Sequence, residues 1–142
     1  MNRRRVLLST AALAISGLMA SGFAQSSNRI PLAQLESMFR DMRRKTKWNV
    51  DGPLLWGYFF VDPSREKLSK LADQLRAAGY SIVEIRRVPE SSVMHQLHVE
   101  RIELHTPGSL HDRNSELYDL AARLGVESYD GMDVGPALAR AK

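Results

Sequence analysis

The run Leu54-Leu55-Trp56-Gly57-Tyr58-Phe59-Phe60-Val61 constrains this chain more than any other stretch. It carries no charge and lies between Asp51-Gly52-Pro53 and Asp62-Pro63-Ser64. Eight aromatic and aliphatic residues between turn formers read as a strand buried on both faces. Alternation sends Trp56, Tyr58 and Phe60 one way and Leu55, Phe59 and Val61 the other. Such a strand calls for cover on both sides, so the rest of the chain is expected to be built around it. Phe60→Ala is accordingly expected to destabilise the fold strongly.

The flanking segments supply that cover. Pro31 suits a first helical turn, and Leu32, Leu35, Phe39 and Met42 recur at helical spacing, which predicts a helix over 31–44. Ser64 as N-cap, the stripe Leu68, Leu71, Ala72, Leu75 and Ala78, and the stop at Gly79 predict a second helix over 64–78. Ile82, Val83 and Ile85 mark a strand over 81–88, and Pro89 to Ser92 a turn. Met94 to Leu104 reads as a long strand. Leu97 and Val99 share a face there while Ile102 and Leu104 change parity, which predicts a bulge or twist near Glu100-Arg101. Leu110, Leu117, Leu120, Ala121 and Leu124 predict a helix over 109–124, ended by Gly125. Val126 to Tyr129 reads as a short last strand, Asp130-Gly131 as a turn, and Gly135 to Lys142 as a frayed tail.

The order after residue 50 is β-α-β-β-α-β. It predicts an α+β fold, a ferredoxin-like βαββαβ sandwich with an extra N-terminal helix. That helix is expected to cover either the second sheet face or a partner.

The N-terminus reads as an address. Asn2-Arg3-Arg4-Arg5 is cationic, Val6 to Ala20 is apolar but diluted by Ser9, Thr10, Ser16 and Gly17, and Gly22-Phe23-Ala24 offers small residues for cleavage. Arg3-Arg4-Arg5-Val6-Leu7 also fits a twin-arginine signal, with a Sec signal as the other route. The expected organisation is a signal peptide over 1–24, an N-terminal helix and linker over 25–50, the main domain over 51–135, and a tail over 136–142. The expected location is periplasmic or secreted.

Charge and composition exclude several classes. The chain of 142 residues has net charge +4 and no cysteine, so a disulfide framework, a thiolate metal site and a cysteine nucleophile are all absent. Cleavage at 24 removes three arginines and no acid, leaving 17 basic against 16 acidic side chains. The basicity therefore belongs to the leader and does not argue for nucleic-acid binding. RNA-recognition modules of this fold stack bases on aromatics of both central strands; Trp56, Tyr58 or Phe60 could serve on the first, but 94–104 has no aromatic.

No catalytic constellation stands out. His95 and His98 are three apart in a strand and face opposite sides, while His105 and His111 flank a turn. A metal site there would need further ligands such as His98 or Glu103. Glu100, Arg101 and Glu103 offer paired charge suited to a salt bridge. Ser91 and Ser92 lack the Gly-x-Ser-x-Gly setting of a hydrolase elbow. The basic run Arg40, Arg43, Arg44, Lys45 and Lys47 is a solvated helix face or a contact for an anionic partner.

Two segments carry a family resemblance. Leu97-His98-Val99-Glu100-Arg101, then a leucine-bearing helix, then Val126-Glu127-Ser128-Tyr129-Asp130-Gly131-Met132-Asp133 resembles the RraB family over about residues 32 to 135. Members are regulators of ribonuclease E activity, non-catalytic protein inhibitors with a ferredoxin-like fold. Met132 departs from the pattern, standing where the family usually has tryptophan, and the mature chain lacks the family's marked acidity. The resemblance implies a protein-binding domain rather than an enzyme, with no cofactor or metal. The expected contact residues are Arg43, Arg44, Glu100, Arg101, Asp130 and Asp133, and the sheet edge, aromatic face and basic helix are the candidate surfaces. The leader adds a further expectation: a protein target other than ribonuclease E, which the chain would meet only in the cytoplasm. The alternative is a small exported enzyme or metal-binding protein using the histidines.

Overall fold

The computed structural model describes residues 28–137 except Ser92. The leader expected at 1–24 and the tail from 138 onward lie outside the described residues, as does Ser92 of the expected turn.

Seven elements follow in order: α1 (Leu32–Lys45), β1 (Leu54–Asp62), α2 (Arg65–Ala77), β2 (Ser81–Arg87), β3 (His95–Glu103), α3 (Pro107–Arg123) and β4 (Ser128–Pro136). The four strands form one sheet in the order β2-β3-β1-β4, with every neighbouring pair antiparallel. This is the ferredoxin-like order, with β1 and β3 central and an added N-terminal helix.

The helix ends follow from local chemistry. The Ser64 hydroxyl accepts from the Lys67 backbone N–H at 3.0 Å, satisfying one free donor at the start of α2. Thr106 and Ser109 form a reciprocal capping box at α3, with Pro107 in the first turn. The expected break at Thr106-Pro107 is therefore a helix start, and α3 begins two residues before the expected position. Gly79 and Gly125 close α2 and α3 at φ of 103° and 69°, a region open to glycine without steric cost.

All three helices lie on one face of the sheet. Trp56, Tyr58 and Phe60 point into that layer and are almost wholly buried, with Leu97 and Val99 of β3 beside them. Leu68, Leu71 and Leu75 of α2 and Leu110, Leu117 and Ala121 of α3 close over them. The N-terminal helix joins this same core. Leu35, Phe39 and Met42 are buried, Phe39 stacks on Trp56 with ring centroids 6.0 Å apart, and α1 packs on α3.

This overturns the expectation that β1 is roofed on both sides. Leu55, Phe59 and Val61 are half-exposed, and no described element covers them. Their cross-strand neighbours give the reason. Gln96, His98 and Glu100 flank them on β3, and Ser128 and Asp133 on β4. A helix laid there would strip water from the Glu100 and Asp133 carboxylates, a cost greater than the apolar gain.

Three smaller expectations also fail. The β1–β3 register runs unbroken through Glu100 and Arg101, so the expected bulge is absent. Ile102 and Leu104, whose parity suggested it, are 53% and 58% exposed and do not belong to the core. The register shifts lie instead between Ile82 and Glu84, and between Phe59 and Phe60 opposite β4. Asp130-Gly131 does not end the last strand. Phe60 pairs with Tyr129 and Phe59 with Gly131, so Asp130 is the extra residue of a bulge within a nine-residue strand, and Gly131 takes φ 102°. Gly135 and Pro136, expected in the tail, belong to that strand.

Candidate functional site

The bare face of the sheet is assembled from alternate residues of all four strands. Directly opposite residues in antiparallel pairs share a face. Gly57 at the centre is flanked by Glu100 and Asp133, Phe59 by His98 and Gly131, Leu55 by Ile102 and Gly135, and Val61 by Gln96 and Ser128. β2 adds Glu84 opposite His98 and Arg86 opposite Gln96. The result is an apolar middle of Leu55, Phe59, Val61 and Ile102, bordered by the carboxylates of Glu84, Glu100 and Asp133, with Arg86 3.9 Å from Glu84.

Gly57 lets this middle form a shallow floor. A Cβ there would collide with the Asp133 carboxylate and come within 2.9 Å of His98 Nε2. Both side chains lean over the glycine and fill the space that a larger residue would take. The His98 ring also stacks on Phe59, with centroids 4.4 Å apart and planes 21° from parallel, and Glu100 Oε2 lies 3.7 Å from Nε2. Nε2 is buried and has no hydrogen-bond partner among the described residues.

A second cluster of ionisable groups sits on the covered side. Glu103 Oε2 accepts from Tyr58 OH at 2.7 Å and from Arg113 Nη1 at 2.6 Å, and lies 3.1 Å from His105 Nε2. His105 Nδ1 meets the Ser109 hydroxyl at 2.8 Å. Burial alone would raise the Glu103 carboxyl. Hydrogen bonds from His105 and Tyr58 and the Arg113 guanidinium outweigh it and bring the pKa down to about 2. Burial drives the Tyr58 phenol the other way, well above its usual value, reinforced by Glu103. Every group here has a partner, and Glu103 stays ionised across the ordinary pH range. The cluster therefore reads as a structural tie between β1, β3 and α3.

The residues singled out in the sequence are dispersed. Glu100 and Asp133 flank Gly57 on the bare face. Arg101 lies on the covered side, where it reaches the Ala78 carbonyl and stands 5.0 Å over the Tyr80 ring. Asp130 is on the bulge at the outer edge of β4. Arg43 is paired with Asp51 at 3.0 Å, and Arg44 lies 3.6 Å from Asp41, so both belong to the solvated surface of α1 and its exit. His95 and His98 face opposite sides as their spacing requires. His105 is held within the Glu103 cluster, and among the described residues no three His, Asp or Glu side chains converge as a metal site requires. Trp56, Tyr58 and Phe60 are buried and cannot stack on bases.

The comparisons agree with this architecture. The family model for regulator of ribonuclease activity B matches residues 33–134. The chain belongs to the RraB family. The match begins in α1 and ends in β4, so it takes in nearly all of the three helices and the sheet, α1 included. No curated protein matches the chain. An RraB chain is thus a member of a family described as regulators of ribonuclease activity.

Leu55, Phe59 and Ile102 were not among the contact residues picked from sequence, and His98 was weighed only as a metal ligand. One signal could have found them. Gln96, His98 and Glu100 form a polar row at period 2, and a polar row beside an apolar strand marks an open face.

Proposed function

We propose that this RraB-family chain is a non-catalytic regulatory domain that docks another protein on the bare face of its sheet. The observation that carries the reading is the half-exposed second side of β1, an apolar middle within a border of carboxylates. A protein interface has that composition, an apolar core inside a polar rim. The border selects a partner that brings basic groups, and Glu84, Glu100 and Asp133 repel a phosphate backbone. Glu100 and Asp133 are the contacts we assign. Arg101 and Asp130 lie away from this face, and Arg43 and Arg44 are paired with Asp51 and Asp41 on the solvated surface of α1.

Residues 1–24 have the composition of a leader, and we propose that the mature domain acts in the periplasm or outside the cell. Its target is then a protein of that compartment. Ribonuclease E is the target only for chains kept in the cytoplasm.

Site-specific photo-crosslinking tests the docking face. A photoreactive residue in place of Ile102 is expected to yield a discrete crosslinked protein in living cells, lost when Phe59 is also changed to Glu. The same residue in place of the exposed Glu66 on α2 is expected to yield none. Crosslinks from position 66 with none from position 102 would move the interface to the helices. Cell fractionation with N-terminal sequencing of the same samples tests the location, and an intact N-terminus in the cytoplasm would refute export.

A further inference from the structure

On the helix side, a pocket of about 600 Å³ opens along the outer edge of β4. That volume is within the range of small-ligand sites. Ala122 of α3, Val126 of the following turn and Met132 of β4 give it apolar walls. Tyr118 stands at one side and Asp130 at the mouth.

Asp130 is unusual among the carboxylates of this chain. As the extra residue of the β4 bulge it is spared from the strand register with β1; its carboxylate makes no hydrogen bond or ion pair with a described residue, and its charge is felt at the Tyr118 phenol. Asp130 is exposed to solvent, yet partial burial of its carboxyl pushes the pKa above the ordinary aspartate value. Arg29 also lines the pocket, but its charge is felt at the Tyr118 phenol and not at Asp130. Glu127 adds a second carboxylate at the rim. An anionic ligand meets two negative charges here, and a neutral apolar ligand would strand Asp130 without a partner.

We propose that this pocket binds a primary ammonium or guanidinium carried on an aliphatic stem. The stem lies against Ala122, Val126 and Met132, and the cation pairs with Asp130. The same chemistry can reach the pocket as a lysine or arginine side chain of a partner protein or as a free amine. The site is on the opposite side of the sheet from the docking face and does not depend on it.

Nuclear magnetic resonance titration of the full chain tests the assignment. The cationic probes are n-butylamine and a five-residue peptide with one central lysine between leucines. The neutral controls are n-butanol and the same peptide with norleucine at its centre. The cationic probes are expected to give saturable shifts at Ala122, Val126 and the Met132 methyl, and the neutral ones none. Asp130→Asn should weaken binding roughly tenfold or more, as loss of a charged hydrogen bond does. Ala122→Trp, which fills the mouth and leaves Asp130 in place, should abolish it. Saturation by butylamine as well as peptide assigns the site to free amines, and saturation by peptide alone assigns it to a partner's side chain. Equal shifts with the neutral probes, unchanged binding in either variant, or no shift with any probe would overturn the proposal.

Discussion

The two sides of β1 differ by one residue in register and by almost everything in environment. Trp56, Tyr58 and Phe60 look into three helices and are essentially dry. Leu55, Phe59 and Val61, equally apolar, look out between rows of polar side chains. The difference teaches that the neighbours of a strand, and not its own hydrophobicity, decide whether a face becomes core. β3 brings Leu97 and Val99 to one side and Gln96, His98 and Glu100 to the other. Only the first side can be closed without burying charge.

Five substitutions break or sharpen that contrast. The largest effect is expected on the covered side. Phe60→Ala should cost about 3–5 kcal/mol in urea unfolding, as truncation of a buried phenylalanine does. Phe59→Ala, one residue away, should cost about 1 kcal/mol or less. Equal losses would mean that the outer face is buried after all.

Glu103→Ala comes next. It leaves Arg113, Tyr58 and His105 facing a void, and roughly 3 kcal/mol should be lost, the lower end for breaking a buried pair. The carboxyl is held at about 2 in the folded state, below its ordinary value of 4.5. Its contribution is therefore full above about pH 4.5 and falls away as the pH drops toward 2. Urea midpoints should decline over that interval in the parent protein and decline less in the variant. Parallel declines would show that Glu103 is not the group responsible.

Gly57→Ala acts on the open side. The new methyl must push aside the Asp133 carboxylate and His98, and overpacking of this kind costs about 1–3 kcal/mol. Because both obstacles are side-chain ends, the backbone should hold, and the His98–Phe59 stack should be lost first. A change in the His98 ring resonances larger than that in any core methyl would report it. Uniform changes across the core would deny that the glycine serves the bare face.

The smallest effect is expected at Ile102. Ile102→Arg should change thermal stability by no more than about 0.5 kcal/mol, as for other surface changes. It should nevertheless abolish crosslinking to a partner. A large loss of stability would place Ile102 in a packed environment and contradict its 53% exposure.

Much of this was readable in the sequence. Ser64, Gly79 and Gly125 punctuate the chain at the places their chemistry demands, and the order of elements gave the sheet order. The family resemblance rested on Val99-Glu100-Arg101 and Tyr129-Asp130-Gly131, which lie in β3 and β4, the two strands that flank β1. Where reading failed, the deciding contact was between distant residues. Asp130-Gly131 has turn chemistry, but pairing with Phe59 and Phe60 carries the strand through it as a bulge. Ile102 is β-branched and apolar, yet its row ends in open solvent. The clustering of Tyr58, Glu103 and Arg113 joins residues up to 55 apart, and no local pattern announces it. Asp130 was singled out for its motif, while the pocket beside it depends on α3 and on the segment entering α1.

One consequence of the placement of α1 concerns how the chain comes into being. During synthesis, residues 32–45 are made long before the helix they rest on at 107–123. Leu35, Phe39 and Met42 must stay out of trouble while more than half of the polypeptide is still missing. The first helix can therefore be seated only late, closing the structure like a clasp. Any factor that holds a newly made chain has that greasy stripe available to grip until the moment of closure.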